Sequence, residues 1–296
     1  MRNRRQPRGR NVRKYSGPRQ GSSNRDRPVE EFIVRRNLDI NCNLGQGFGI
    51  YQNPHELKFL PYVTSVNVPC GLHAGDPLTI SRTVEAVKNS NVCVGALIGF
   101  DDKVTCGERE MYPHVDEIRA MVLYQLGALY GILHAKGLQI NHVRAHGFLY
   151  KLLYTDVLIA ETVAKAVKEF STWITMVGLS GHVLSTACAN ANIKPGHEVQ
   201  ISKRYRKDGT ILPNNSFTTK NALEEAGKRA REIIQTGRIT CEDGSRIRLN
   251  VDTIHIPSDT EQSVELARTV RALVPEPRSI NLEKYDKYLG AMTVLG

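Results

Sequence analysis

The chain has 296 residues, 41% hydrophobic and 24% charged, long enough to bury a full core as one large domain or two small ones. No window approaches the roughly 18 unbroken apolar residues of a membrane-spanning helix, and no apolar h-region of a secretory leader stands at the start. The six cysteines, at 42, 70, 93, 106, 188 and 241, form no CxxC pair, which excludes a zinc ribbon or thioredoxin-like motif and reads as reduced thiols in an intracellular protein.

The formal net charge of +10 is unevenly held. Residues 1–30 carry ten cations (Arg2, Arg4, Arg5, Arg8, Arg10, Arg13, Lys14, Arg19, Arg25 and Arg27) against Asp26 and Glu30, while residues 31–296 carry thirty basic and twenty-eight acidic residues. The segment has almost no apolar side chains and cannot bury enough surface to fold alone. It can be read as a solvated tail, as a mitochondrial transit peptide, or as an arm that binds nucleic-acid phosphates. Pro7, Gly9, Gly17, Pro18, Gly21 and Pro28 break the amphipathic helix that a transit peptide needs. Nine arginines to one lysine suit bidentate phosphate contacts, so residues 1–31 are expected to be an RNA-binding arm.

The body alternates strands and helices. Strands are expected at Phe32–Ile40, Val63–Val68, Val92–Ile98, Ile140–Ala145, Trp173–Gly178, His197–Ile201 and Asn250–Ile256. Between them the 3.6-residue period predicts helices at Pro77–Asn89, about Val115–Ala135, Val157–Phe170, His182–Asn190, about Ala222–Thr236 and Glu261–Leu273. Gly137 stops the longest of these, and Asp208-Gly209 and Asp243-Gly244 read as tight hairpin turns. Pro275 and Pro277 end regular structure, which divides the chain into an arm (1–31), a body (32–275) and a C-terminal extension (276–296).

About seven β-α units imply either a barrel or a doubly wound sheet, and both place their chemistry at the C-terminal ends of the strands. Those ends carry Asp39-Ile40-Asn41-Cys42-Asn43-Leu44-Gly45-Gln46, then Cys70-Gly71-Leu72-His73-Ala74-Gly75-Asp76, then Gly95-Ala96-Leu97-Ile98-Gly99, then Arg144-Ala145-His146-Gly147, and finally Ser258-Asp259. Asn43–Gly49 superficially suggests a phosphate loop but lacks both the full GxGxxG and a P-loop lysine.

Together and in this order, over about residues 37–274, these strings resemble the LamB/YcsF family, whose characterised bacterial members serve as the A subunit of 5-oxoprolinase. The resemblance implies an irregular (β/α)7 barrel, similar to the glycoside hydrolase and polysaccharide deacetylase barrels. It also implies ATP-dependent opening of 5-oxoproline to glutamate alongside two further subunits. The chain departs from the family pattern at Asn43 and Gln46 (acids in the family), at Leu97 and Pro257 (histidines) and at Ser202 (an aspartate). Amides, leucine and proline neither ionise nor transfer protons. The family-site survivors are Asp39, Asn41, His73, Asp76, His146 and Asp259. Asp76 before Pro77 also reads as a plain helix N-cap, and His73 and His146 as hydrogen-bonded residues of the barrel mouth. Histidines 55, 114, 134, 142, 182, 197 and 255 read as surface or core residues.

Five lost ionisable groups and a basic arm lead to one expectation. The barrel would be a pseudoenzyme recruited into a ribonucleoprotein, a mitochondrial ribosome in the mitochondrial matrix. It would contact ribosomal RNA through the arm and neighbouring proteins through the body, with no metal, cofactor or membrane. The alternative is an active amidohydrolase of the 5-oxoprolinase A-subunit type.

Overall fold

The computed structural model describes residues 37–212 and 220–280, all within a unit spanning Phe32–Gly296. The ten arm cations lie outside the described residues. Seven parallel strands close a barrel in the order β1 (Asp39–Asn43), β2 (Ser65–Pro69), β3 (Cys93–Ile98), β4 (His142–Ala145), β5 (Thr175–Leu179), β6 (Lys194–Gln200) and β9 (Thr253–Ile256). Between β6 and β9, β7 (Arg238–Thr240) and β8 (Arg246–Arg248) form a separate antiparallel hairpin. The helices are α1 (Pro77–Lys88), α2 (Val115–His134), α3 (Gly147–Thr155), α4 (Val157–Phe170), α5 (His182–Ala191), α6 (Lys220–Thr236) and α7 (Gln262–Leu273). A short 3-10 helix, Glu56–Tyr62, follows β1. No helix among the described residues is long and apolar enough to cross a membrane.

The period-2 alternation of β1 shows how this barrel is built. Leu38, Ile40, Cys42 and Leu44 join the apolar layer that also takes in Ile118, Leu126 and Leu129 of α2. Asp39, Asn41 and Asn43 point into the lumen, where Asn41 meets side chains of β2, β6 and β9. The hydrophobic core is therefore a shell between barrel and helices, and the lumen itself is polar. That arrangement depends on most buried polar groups finding a partner, because an unmade buried hydrogen bond costs about 1–3 kcal/mol.

At the floor of the barrel the Asp39 carboxylate accepts hydrogen bonds from Thr64 Oγ1 at 2.6 Å, Ser65 Oγ at 2.9 Å and Thr253 Oγ1. Burial raises its pKa to about 6, while the hydroxyls and the backbone of Ile280 pull it back. Residues 275–280 pack at this end. Arg278 N donates to Leu38 O at 3.3 Å, and the Ile280 side chain packs on Gly196.

The first strand begins later than the sequence pattern suggests, at Asp39, and α3 starts one residue after β4 ends. The sixth strand begins at Lys194, three residues before the expected His197.

Candidate active site at the barrel mouth

Above the floor, Asn41 organises the lumen. Its Nδ2 donates to Thr253 Oγ1 at 2.7 Å and Glu198 Oε2 at 3.3 Å, and its Oδ1 accepts from Asn67 Nδ2 at 2.8 Å. His142 lies between the amides of Asn67 (2.7 Å) and Asn141 (3.0 Å). Burial drives its pKa down to about 4, so it stays neutral. Glycine at 95 makes room for this ring, since a Cβ there would sit 2.2 Å from His142 Nε2. Gly95→Ala should therefore force the ring out of its amide clamp and destabilise the barrel by about 1–3 kcal/mol, the usual cost of overpacking. Urea denaturation with an unchanged midpoint would show that the ring yields freely.

Glu198 of β6 and Arg144 of β4 form a fully buried bidentate pair, Nε to Oε2 at 2.7 Å and a terminal guanidinium nitrogen to Oε1 at 2.8 Å. Tyr150 Oη donates to the same Oε1 at 2.8 Å. Burial alone would raise the Glu198 pKa, but the Arg144 guanidinium outweighs it and holds the carboxylate near about 2.

The C-terminal ends of the strands open into the mouth. His73, on the loop after β2, is completely buried, and neither ring nitrogen has a hydrogen-bond partner. Its ring stacks on that of His146, centroids 4.8 Å apart and 16° from parallel. Glycine at 99 permits this position, because a Cβ there would lie 2.5 Å from His73 Nδ1. Burial first and His146 second drive the His73 pKa well down. His146 is the N-cap residue of α3 with 15% of its side chain exposed, and its Nε2 stands 3.9 Å from Glu108 Oε1. Burial and the nearby Arg144 bring its pKa to about 4, so it too is neutral near pH 7.

Glu108 comes from the loop after β3, which Asp102 folds by accepting from Thr105 N at 3.2 Å, Arg109 N at 3.3 Å and the Arg109 guanidinium at 2.9 Å. Lys203, after β6, places a positive charge felt by Glu108, Asp259 and His255. Glu56 takes hydrogen bonds from Gly45 N at 2.7 Å and Gln46 N at 3.1 Å, so a carboxylate occupies the loop whose own acids are amides.

The sequence-derived residues thus separate. His73, His146 and Asp259 lie at the mouth, Asn41 in the middle of the lumen and Asp39 at the floor, away from the mouth. Asp76 is the N-cap of α1, accepting from Thr79 N at 2.8 Å and also from Gly49 N at 2.7 Å. Sequence reasoning missed Glu56, Asp102, Glu108, Arg144, Glu198, Lys203, His142 and His255. The inward register of Gly196-His197-Glu198 and Thr253-Ile254-His255 is the signal that could have found Glu198 and His255. No group of three or more His, Cys, Asp or Glu side chains is placed to hold a metal ion among the described residues.

A closed seven-stranded parallel α/β barrel with a polar lumen and its ionisable groups at the strand C-termini is the class of protein that these features define. The chain belongs to the LamB/YcsF family, whose pattern matches residues 38–288. It is 35% identical over 238 residues to the A subunit of 5-oxoprolinase from Bacillus anthracis (strain A0248), covering 79% of this chain and 93% of that protein. It is 36% identical over 254 residues to the corresponding 5-oxoprolinase A subunit of Geobacillus kaustophilus (strain HTA426), covering 85% and 99%. The crystal structure of the lactam utilization protein from Thermus thermophilus superposes with a TM-score of 0.76 at 33% identity, over 82% of this chain and 100% of that one.

These relatives correct the expectation of a pseudoenzyme built into a mitochondrial ribosome and binding RNA. Nearly whole bacterial proteins named for lactam chemistry match the body of this chain, and none of the names points to a ribosome. The physical reason for the misreading is that ionisable groups were counted at the strand ends alone. Leu97, Ser202 and Pro257 are indeed buried and inert, yet Glu56, Glu108, Lys203 and His255 supply charge and imidazole to the same mouth from loops and from a deeper turn of the strand.

Proposed function

We propose that this chain opens the ring of 5-oxoproline or a closely related lactam, acting as the A subunit of an ATP-dependent 5-oxoprolinase. The observation that carries this reading is His146, neutral and partly open at the mouth, stacked on the buried ring of His73 and with Nε2 3.9 Å from the Glu108 carboxylate. Ring opening breaks the lactam C–N bond. It adds the oxygen of water to the carbonyl carbon and leaves a carboxylate and an amine. A neutral imidazole can take the proton from that water, and a carboxylate 3.9 Å away stabilises the imidazolium that results. The polar mouth and the match to relatives over 93–99% of their length both support the reading.

The test is glutamate release from 5-oxoproline with ATP and the remaining subunits of a bacterial relative. The wild-type chain should release glutamate, and His146→Ala should slow release by about 10²–10⁴-fold, the worth of one acid–base group. A wild-type chain giving no glutamate above the background of those subunits alone would overturn the proposal.

A further inference from the structure

His255 is an imidazole in the lumen that the reading above does not use. It lies on β9, where Thr253 and His255 both point inward and bond to Asn41. Its Nδ1 is 2.9 Å from Asn41 Oδ1. The Asn41 amide cannot turn round, because its Nδ2 is committed to Thr253 and Glu198. An amide oxygen only accepts, so the His255 proton sits on Nδ1 and the lone pair on Nε2. That lone pair accepts no hydrogen bond within the described residues.

The other lumen and mouth histidines differ. His142 has each ring nitrogen within 3.0 Å of an amide group, and both His73 nitrogens are closed off from solvent. His255 keeps 7% of its surface accessible, and its Nε2 is not among the sealed partnerless atoms. Burial and the nearby Arg144 push its pKa down to about 3, so the lone pair is not lost to a proton near neutral pH. His255 stands one residue before the C-terminal end of β9, on the side of the barrel that opens into the mouth.

We propose that His255 Nε2 accepts the ring N–H of the substrate, so that this chain selects secondary lactams over N-substituted ones, with Asn41 as the positioning residue that fixes the tautomer. The proposal rests on the lactam reading. A lactam offers one donor, its N–H, and a fixed neutral acceptor in a desolvated lumen reads that donor. An N-methyl group would both clash with Nε2 and leave it unpaired.

The experiment is a calorimetric titration of the full chain with 5-oxoproline and with N-methyl-5-oxoproline, in the wild type and two variants. His255→Asn keeps a donor near the Nδ1 position for Asn41 and deletes the Nε2 acceptor. His255→Gln carries an amide oxygen out to the Nε2 position. The wild type should bind 5-oxoproline at least about tenfold more tightly than the N-methyl compound, the discrimination of one buried hydrogen bond. His255→Asn should lose about tenfold in affinity together with the discrimination, and His255→Gln should recover most of both. A purely structural role predicts the reverse order, with Asn restoring and Gln failing.

Wild-type affinity for 5-oxoproline that His255→Asn leaves unchanged, or equal wild-type affinity for the two lactams, would overturn this proposal and leave ring opening standing. A wild type that binds neither lactam and releases no glutamate would overturn both. Should His255→Asn fail to fold, the ¹⁵N resonance of the unprotonated His255 Nε2 decides. A shift on adding 5-oxoproline supports the contact, and an unmoved resonance refutes it.

Discussion

Glu198→Ala should destabilise the barrel by about 3–5 kcal/mol, the loss typical of removing one partner from a buried ion pair. The size follows from what is left behind. Arg144 is only 4% exposed and would keep its charge with no carboxylate to meet it. Tyr150 Oη would lose an acceptor at 2.8 Å and Asn41 Nδ2 one at 3.3 Å. Neither group can reach solvent without opening the lumen, so the desolvation cost falls on the folded state alone. Removing both charges at once is a different matter. Arg144→Met with Glu198→Leu substitutes apolar volume for the pair and should lie within about 2 kcal/mol of wild type, since such replacements are often neutral or better. Urea denaturation of Arg144→Met, Glu198→Leu and the double gives the coupling directly. A Glu198→Ala loss below about 1 kcal/mol would mean that water enters the lumen and solvates Arg144.

The same pair marks the limit of what the sequence made legible. The order of strands and helices could be read because their outward faces obey simple periods. Val157–Phe170 falls on its expected residues, and Pro77 after Asp76 fixes the start of α1. The polar lumen could not be read that way. Arg144 and Glu198 are 54 residues apart, and only closure of the barrel makes them neighbours. Their strands are not even paired, since β5 lies between them. Helix α3 was lost because Phe148–Tyr154 follows β4 with only His146 and Gly147 between, too short for any turn signal. The motifs did locate His73 and His146, two rings that stack although they lie 73 positions apart. Deciding what the mouth can do required Glu56, Glu108 and Lys203. They sit outside the periodic strands and α-helices, with Glu56 held by the backbone amides of Gly45 and Gln46 and the Glu108 loop held by Asp102.

Between pH 6.5 and 4.5 the barrel should lose about 4 kcal/mol of stability, a large share of the roughly 5–15 kcal/mol that holds a typical domain together. His142 and His146 are held near about 4, His255 near about 3, and His73 well below its ordinary value of 6.5, all by burial first. In the unfolded chain each takes a proton as pH falls through about 6.5. The native state refuses those protons until pH reaches the lowered values. The unfolded state therefore binds more protons throughout this window, and stability falls as pH falls. His142, His146 and His255 each contribute about 1.4 kcal/mol per pH unit once well below 6.5, or about 2 kcal/mol by pH 4.5, and His73 adds in the same direction. Asp39 works in the opposite direction. Its pKa is raised to about 6, so the native state gains a proton that the unfolded state does not take until about pH 4, which returns about 2 kcal/mol. Glu198, held near about 2, adds to the loss only below its unfolded value of 4.5. Urea midpoints at pH 7.0, 6.0 and 5.0 should decline with increasing steepness. His142→Gln, which keeps an amide between Asn67 and Asn141 but cannot titrate, should reduce the slope by about one proton. A stability that stays flat from pH 7 to 5 would mean that these four rings are hydrated and protonate in the folded barrel as freely as in the unfolded chain.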